Sequence, residues 1–434
     1  MAAHALSGDD RAPSALGVGS EDGEPGAVAH PPRRLLVLAP FAPRLDATHG
    51  GSRTIAQLID ALARRHRVAL LYLRATAEPP VDDALRERCE IVEEVAHGRR
   101  GGPVRRTRRR LHLAVSLLRG RPMWATICKV EAYAARAAAL AHTWRPDIVQ
   151  MEFHVMGQYA TALGGCLAPR VLVQHEPGAL AARDRQRSQG DVATLLHRLD
   201  ARAWERYEPA VMAGVHAVVV FTERDQQALA PLAPRTPVVR IPLGMIVPDR
   251  ALDPLGHPPP SLLFVGSFAH PPNVDAAVRL AGAILPALLA RHTDLVLYIV
   301  GADPPARVRG MAGEHVIVTG RVADVTPYLD RATLVVAPLR LGGGMRVKVL
   351  EALAAGKAVV ATPLAVEGLS VTDGEQVALG ETDRQLCDAI GALLDSPERR
   401  AALAARARAW AVANLGWERP VAAYETLYAS LLDG

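Results

Sequence analysis

Short, unbroken apolar runs recur along this chain, and each is followed by a segment of helical spacing. Leu35-Leu36-Val37-Leu38-Ala39-Pro40 is the first. No polar residue alternates within it, so both strand faces must be covered, as in a parallel sheet packed between helices. Ile55, Leu58, Ile59 and Leu62 then share one face of a predicted helix over Thr54–Arg65, and a second buried strand follows at Val68–Leu73. Parallel neighbours need a crossover, usually a helix. The pattern predicts further strands at Asp147–Gln150, Arg170–Gln174 and Val215–Phe221, with Thr222 capping a helix from Glu223. It restarts at Leu262–Gly266 and continues through Leu295–Val300, Val316–Thr319, Leu334–Ala337 and Ala358–Ala361. The expected class is α/β, with two Rossmann-like doubly wound domains facing a cleft.

Boundaries follow from composition. Residues 1–32 are rich in Gly, Ala, Ser, Asp and Pro without periodicity and read as a disordered leader. The first domain is expected over 33–240. A Pro-rich linker covers 241–260, inside a cluster that runs from Pro231 to Pro260. The second domain covers 261–408. Helical spacing runs over Pro397–Asn414 and again over Glu418–Leu432, so 409–434 is set apart as a terminal helical segment. Half of the 434 residues are hydrophobic, enough for two cores.

The most informative segment lies between two predicted strands. It reads Gly342-Gly343-Gly344-Met345-Arg346-Val347-Lys348-Val349-Leu350-Glu351, and Gly356 stops the helix. Consecutive glycines let a backbone approach a ligand, and the helix they open offers free N–H groups to a diphosphate. Val347, Leu350 and Ala354 are expected on the buried face, with Lys348 and Glu351 on the other. The plainer alternative is a packing turn between strand and helix. In the first domain, Gly50-Gly51-Ser52 can present N–H groups in the same way, or form a tight turn. His175 and Glu152 each follow a strand, where ligands bind in open α/β sheets. Each also has a structural alternative, a satisfied core histidine and a helix-terminal carboxylate. Trp204, Glu205, Tyr207 and Glu208 read as packing and surface charge on a helix.

These segments resemble the retaining GT-B glycosyltransferases of family 4, also called group 1. The resemblance rests on the Gly50-Gly51 loop, on Leu263-Phe264-Val265-Gly266-Ser267, on the Gly320 turn with Asp324, and on Gly342–Glu351 with Gly356-Lys357-Ala358-Val359-Val360. It implies an acceptor-side N-terminal domain, a C-terminal domain that binds a nucleotide sugar, and a last helix, from Trp417, that crosses back. It implies transfer of a hexose-type unit to an acceptor hydroxyl with retention, in glycan, polysaccharide or glycosylated-metabolite biosynthesis, without a metal or cofactor. Expected catalytic residues are His175, Arg346 and Lys348. Expected substrate contacts are Gly50, Gly51, Glu152, Gly266, Ser267, Gly320, Arg321, Gly342, Gly343, Gly344, Met345 and Glu351, with Glu351 on the ribose.

Two positions depart from the family pattern. Gly343 stands where many members carry a first glutamate. Ser267 stands where many carry an arginine for the diphosphate, and no lysine follows in Phe268–Asn273. Arg346 and Lys348 are therefore expected to supply the missing positive charge, with His270 a lesser candidate. The alternatives are a GT-B nucleotide-sugar 2-epimerase and a catalytically silent GT-B binding subunit. A Rossmann dehydrogenase is weaker, because neither half has a Gly-x-Gly-x-x-Gly turn with the acidic residue that should follow.

Net charge is +5, and seven arginines crowd into Arg99–Arg110. They read as a solvated surface or as a contact for an anionic membrane. Nucleic acid is excluded as a partner, since no aromatic residues interleave them. No secretory signal or run of about 20 apolar residues is read, and the four scattered cysteines read as reduced thiols. The expected location is cytoplasmic, with peripheral binding at the inner membrane face as a variant. The expected partners are a nucleotide-sugar donor and an acceptor that is a glycan, a lipid-linked glycan or a small molecule.

Overall fold

The computed structural model describes residues 31–47, 50–76, 78–97, 113–188 and 195–433. The leader up to residue 30 and the arginine cluster Arg99–Arg110 lie outside them.

Seven parallel strands form the first sheet: β1 Arg34–Ala39, β2 Arg67–Ala75, β3 Ile91–His97, β4 Ile148–Glu152, β5 Arg170–Gln174, β6 Ala217–Val220 and β7 Val238–Arg240. Their order is β3-β2-β1-β4-β5-β6-β7. The second sheet contains β8 Ser261–Val265, β9 Val296–Val300, β10 Val316–Gly320, β11 Leu334–Ala337, β12 Val359–Ala361 and β13 Ala378–Leu379. Its order is β10-β9-β8-β11-β12-β13, again parallel throughout. The central strands are fully buried, as unbroken Val/Leu/Ile runs require. Each sheet reverses direction once, between β1 and β4 and between β8 and β11. A doubly wound sheet binds ligands in the crevice at that reversal, beyond the carboxyl ends of its strands.

Several elements differ from the expectation. β3 carries the consecutive pair Glu93-Glu94 in the middle of an apolar run, because it is an edge strand and needs no double cover. β7 lies inside the Pro cluster. Pro237 precedes it, so the missing N–H falls outside the strand. The first helix starts at Gly50, making the glycine pair its first turn rather than a separate loop. A helix is continuous over Pro397–Asn414, so residue 409 is not a break, and the chain turns at Leu415–Trp417.

The helix Glu418–Asp433 packs against the layer of the first sheet. Glu425, buried, sits 2.9 Å from Arg65 and 3.0 Å from His66. Trp417 donates its indole N–H to Gln57 at 3.3 Å, and Ile246 donates its amide to the same oxygen at 3.1 Å. The Trp417 ring covers Gly244 so closely that a Cβ there would fall 2.5 Å from it. Both connections between the sheets therefore meet on the first helix.

Pro271–Leu289 is the one helix among the described residues long and apolar enough to span a membrane. Ala276, Ala277, Leu280, Ile284 and Leu285 bury one face of it in the core, as a helix flanking the second sheet would.

Candidate functional site

Both reversal points open toward each other, and the expected site residues gather there. Gly50 follows β1, Glu152 ends β4, Gly266 and Ser267 follow β8, and Gly342–Arg346 follow β11. A Cβ added at Gly50 would stand 3.5 Å from Val347. The first turns of two helices, Gly50–Ala63 and Val347–Ala354, thus abut at the positive ends of their dipoles. Leu350 and Ala354 are buried as expected, together with Val349, Ala352 and Leu353, while Val347, expected with them, is only half-buried and faces the cleft side at Gly50. Gly356 stops this helix with φ +74°.

The glycine segment is a loop, not a helix start, since the helix begins at Val347. The Gly342 N–H donates to Asp184 at 2.8 Å, across from the first half of the chain. Gly344 has φ +68°, and any Cβ there would land on the His175 carbonyl oxygen. It lets the loop close on the end of β5. Gly343 has ordinary space around it, with Pro177 3.6 Å and Asp225 and Glu176 each 3.8 Å from an added Cβ.

Arg346 is placed differently from the expectation of an exposed phosphate ligand. It is buried, and its guanidinium donates to the carbonyls of Gly342, Gly343 and Gly344. The physical reason is local: three turned-in carbonyls need donors, and one planar fork supplies them. Burial pulls its pKa down, and the charges of Glu367, Asp225 and Glu176 oppose that shift. Lys348 donates to Asn273 Oδ1 and lies 4.5 Å above the Phe264 ring. Burial, then repulsion from Arg346, lowers its pKa to about 7. Asn273 in turn donates to the Ser267 carbonyl at 2.7 Å, so Lys348 serves the loop where Ser267 stands. Glu351 pairs with Arg53, from the first helix. Burial raises the Glu351 pKa, and Arg53 and Lys348 oppose that shift.

His175 and Glu152 come together. His175 Nε2 is 2.8 Å from Glu152 Oε2, and Glu152 Oε1 accepts from Gln150 at 2.5 Å. The Tyr428 hydroxyl donates to Gln150, which links the last helix to this pair. Glu152, Gln150 and Tyr428 have no exposed surface, so Glu152 reaches His175 and not solvent. Phe153 stacks on the His175 ring at 3.9 Å and 6°, from a left-handed φ of 66°. Such a backbone costs roughly 1–3 kcal/mol and persists only where its surroundings demand it.

The remaining expected residues are more peripheral. A Cβ on Gly266 would press on Asn273, so this glycine serves packing. Gly320 needs its φ of +72°. Arg321 is exposed, 3.6 Å from Asp303. Met345 packs partly on the core. His270 faces Glu176 at 3.7 Å. Glu208, expected at the surface, is fully buried and accepts from the N–H groups of Gly178 (2.6 Å) and Ala179 (3.3 Å), capping the helix Gly178–Ser188. Burial pushes its pKa up to about 7. Beside the glycine loop a cleft of about 410 Å³ opens between Asp184 and Arg224 on one side and Arg340, Leu364 and Glu367 on the other. Among the described residues, no three His, Cys, Asp or Glu side chains cluster as a metal site.

Arg53, Asn273, Asp184, Gln150 and Tyr428 were not singled out from the sequence. Only Arg53 carried a usable signal, its place just after Gly50-Gly51. The others depend on contacts between distant segments.

Residues 259–396 match the family described as Glycosyl transferases group 1. A stretch of 181 residues is 34% identical to the phosphatidyl-myo-inositol mannosyltransferase of Mycolicibacterium smegmatis, covering 39% of this chain and 46% of that protein. The matched stretch thus spans about half the length of that relative. Among solved structures, the sucrose-phosphate synthase of Thermosynechococcus elongatus aligns with a TM-score of 0.67 at 17% identity, over 92% of this chain and 100% of that one. Anabaena HepE, solved with UDP and glucose, aligns with a TM-score of 0.59 at 14% identity, over 92% and 99%. At these identities the structures speak for the fold, and the match over 259–396 speaks for the family. The chain has the GT-B fold, and its residues 259–396 are those of a group 1 glycosyl transferase region.

Proposed function

We propose that this protein transfers a hexose-type unit from a nucleoside diphosphate sugar to an acceptor hydroxyl, with retention and without a metal. One observation carries the reading: two helix N-termini abut across the cleft, with the Arg53–Glu351 pair between them and Lys348 in the first turn of the second. Helix ends and cations suit a diphosphate, and a single carboxylate suits two ribose hydroxyls. In this scheme Glu351 accepts from the ribose, and Lys348 and the N–H groups meet the diphosphate. As the sugar C1–O bond to the diphosphate breaks, negative charge grows on the leaving oxygen, where such donors act most strongly. The acceptor oxygen bonds C1 from the same face, and its proton passes to the departing phosphate. No protein nucleophile is needed. His175, oriented by Glu152, donates to or accepts from the sugar. Arg346 shapes the glycine loop.

The acceptor remains a glycan, a lipid-linked glycan or a small molecule, and the pathway one of glycan, polysaccharide or glycosylated-metabolite synthesis. A relative named for mannosyl transfer to phosphatidyl-myo-inositol supports the lipid-linked form. The seven arginines of Arg99–Arg110 support a cytoplasmic protein that touches an anionic membrane surface. Gly343 keeps one second reading open, a silent binding subunit, because no carboxylate is offered at that position. Calorimetry over UDP-, GDP-, dTDP- and ADP-sugars, followed by a turnover assay with the bound donor, tests the function. Tight binding without hydrolysis or transfer supports the silent subunit. Release of free nucleotide without any acceptor supports the 2-epimerase. No binding at all overturns the donor reading.

A further inference from the structure

We infer that Arg53 and the nucleotide exchange partners at Glu351, so that Arg53 guards the ribose position in the empty enzyme and grips the diphosphate in the loaded one. The inference rests on the donor reading above.

Glu351 and Arg53 form an ion pair between the helix Val347–Ala354 and the helix Gly50–Ala63. Neither side chain is sealed off, with exposures of 21% for Glu351 and 26% for Arg53, so a ligand in the cleft reaches both. Ribose hydroxyls that donate to Glu351 compete with the guanidinium for the same oxygen. A displaced Arg53 then needs another anion. The carboxylates of Asp60 and Glu367 already pair with Arg64 and Arg88, and with Arg224, and buried Asp225 faces the charges of Arg346 and Arg224. The incoming diphosphate is the anion that arrives with the ribose. Arg53 also stands in the first turn of the helix that opens with Gly50 and Gly51, at the positive end of its dipole. Its planar fork matches phosphate oxygens, a role that Arg346 does not fill while it holds three glycine carbonyls. The first domain thus supplies the cation missing at Ser267.

The exchange makes opposite predictions for two ligands. A nucleoside has the ribose but no phosphate, so it meets only the competition. A nucleoside diphosphate gains the new contact. The test titrates uridine, guanosine and adenosine beside UDP, GDP and ADP into the full-length wild type and into Arg53→Ala, by calorimetry. The nucleoside should bind Arg53→Ala as tightly as wild type or tighter. The matching diphosphate should lose about tenfold or more, the scale of one charge-assisted hydrogen bond. Arg53→Lys should keep part of the diphosphate affinity. In a Glu351→Gln background the nucleoside gain should vanish. If Arg53→Ala does not fold, Arg53→Gln keeps the aliphatic stem and serves the same test. Equal losses for nucleoside and diphosphate would mean that Arg53 is only a tie between helices, and the exchange is overturned. Unchanged diphosphate affinity overturns it too, and leaves the donor reading standing. If no diphosphate binds wild type, the donor reading fails first.

Discussion

His175 Nε2 and Glu152 Oε2 stand 2.8 Å apart at the ends of neighbouring strands. Register explains the pairing: Glu152 lies opposite Val173 on β5, and the chain reaches His175 two residues on. The buried carboxylate holds Nε2 toward itself and so leaves Nδ1 as the ring's other polar atom. Gln150 and Tyr428 complete a buried polar chain, whose members are expensive unless each is satisfied. Glu152→Gln keeps the shape but loses the charge. We expect kcat/KM to fall by tenfold or more, since charged hydrogen bonds contribute about 1.5–3 kcal/mol. Tyr428→Phe should have a smaller effect of the same sign. Nitrogen NMR of the histidine should show a changed Nδ1/Nε2 tautomer ratio in Glu152→Gln. A folded variant with wild-type kinetics and tautomer would reduce the pair to strand packing.

Glu351 gives a second expectation. If the ribose bonds to it, Glu351→Ala weakens donor binding by roughly 1–3 kcal/mol, the scale of a lost charged hydrogen bond. Part of that loss is masked, because Arg53 is released as well. Glu351→Gln, read with isothermal titration, separates the two. It should weaken binding less than alanine, and identical donor affinities in both variants and wild type would remove the ribose from this position.

Much of the frame is legible in the sequence. Strands such as Leu35–Leu38 or Leu334–Ala337 declare themselves because parallel strands are buried on both faces. Gly356 and the Thr222 cap were legible because each answers a local backbone need. What stayed hidden depends on contacts between distant segments. Arg346 looked like a free cation because its true partners are carbonyls, and a sequence shows no carbonyl direction. Glu208 looked like a surface charge because the helix end it caps, at Gly178, lies 30 residues away in sequence. Arg53 meets Glu351 only when both sheets have formed.

Lys348 predicts a proton linkage. Burial holds its pKa at about 7 in the empty protein, whereas an unfolded lysine titrates near 10.4. Between those values the unfolded chain binds more protons, so this group makes stability rise with pH across that window. Its effect is a cost below about pH 7, where folding must bury the charge. A bound diphosphate reverses the balance by favouring the ammonium. Donor binding at about pH 8 should therefore take up a proton, and affinity should fall as pH rises further. Calorimetric heats in buffers of different ionisation enthalpy measure the uptake. Lys348→Met should abolish it. Buffer-independent heats in wild type would place the anion elsewhere.

The glycine triplet makes the last test, because its members do different things. Gly344 sits at φ +68°, and a Cβ there would meet the His175 carbonyl. Alanine must push the loop away from β5, and such backbone strain costs of order 1–3 kcal/mol. It would also shift His175, so turnover should fall along with stability. Gly343 has no left-handed φ, and its nearest neighbours stand at ordinary contact distance. Gly343→Ala should be nearly neutral in thermal unfolding and in kinetics. Gly343→Glu, which would restore the carboxylate seen in many relatives, meets Glu176 and Asp225 near that same Cβ. Burial has already raised the Asp225 pKa. A third carboxylate beside them is repelled, so Gly343→Glu should destabilise the fold and not raise activity. A Gly343→Glu variant with higher turnover than wild type would show that this position lacks a catalytic group, and that Glu176 and Asp225 leave room for one.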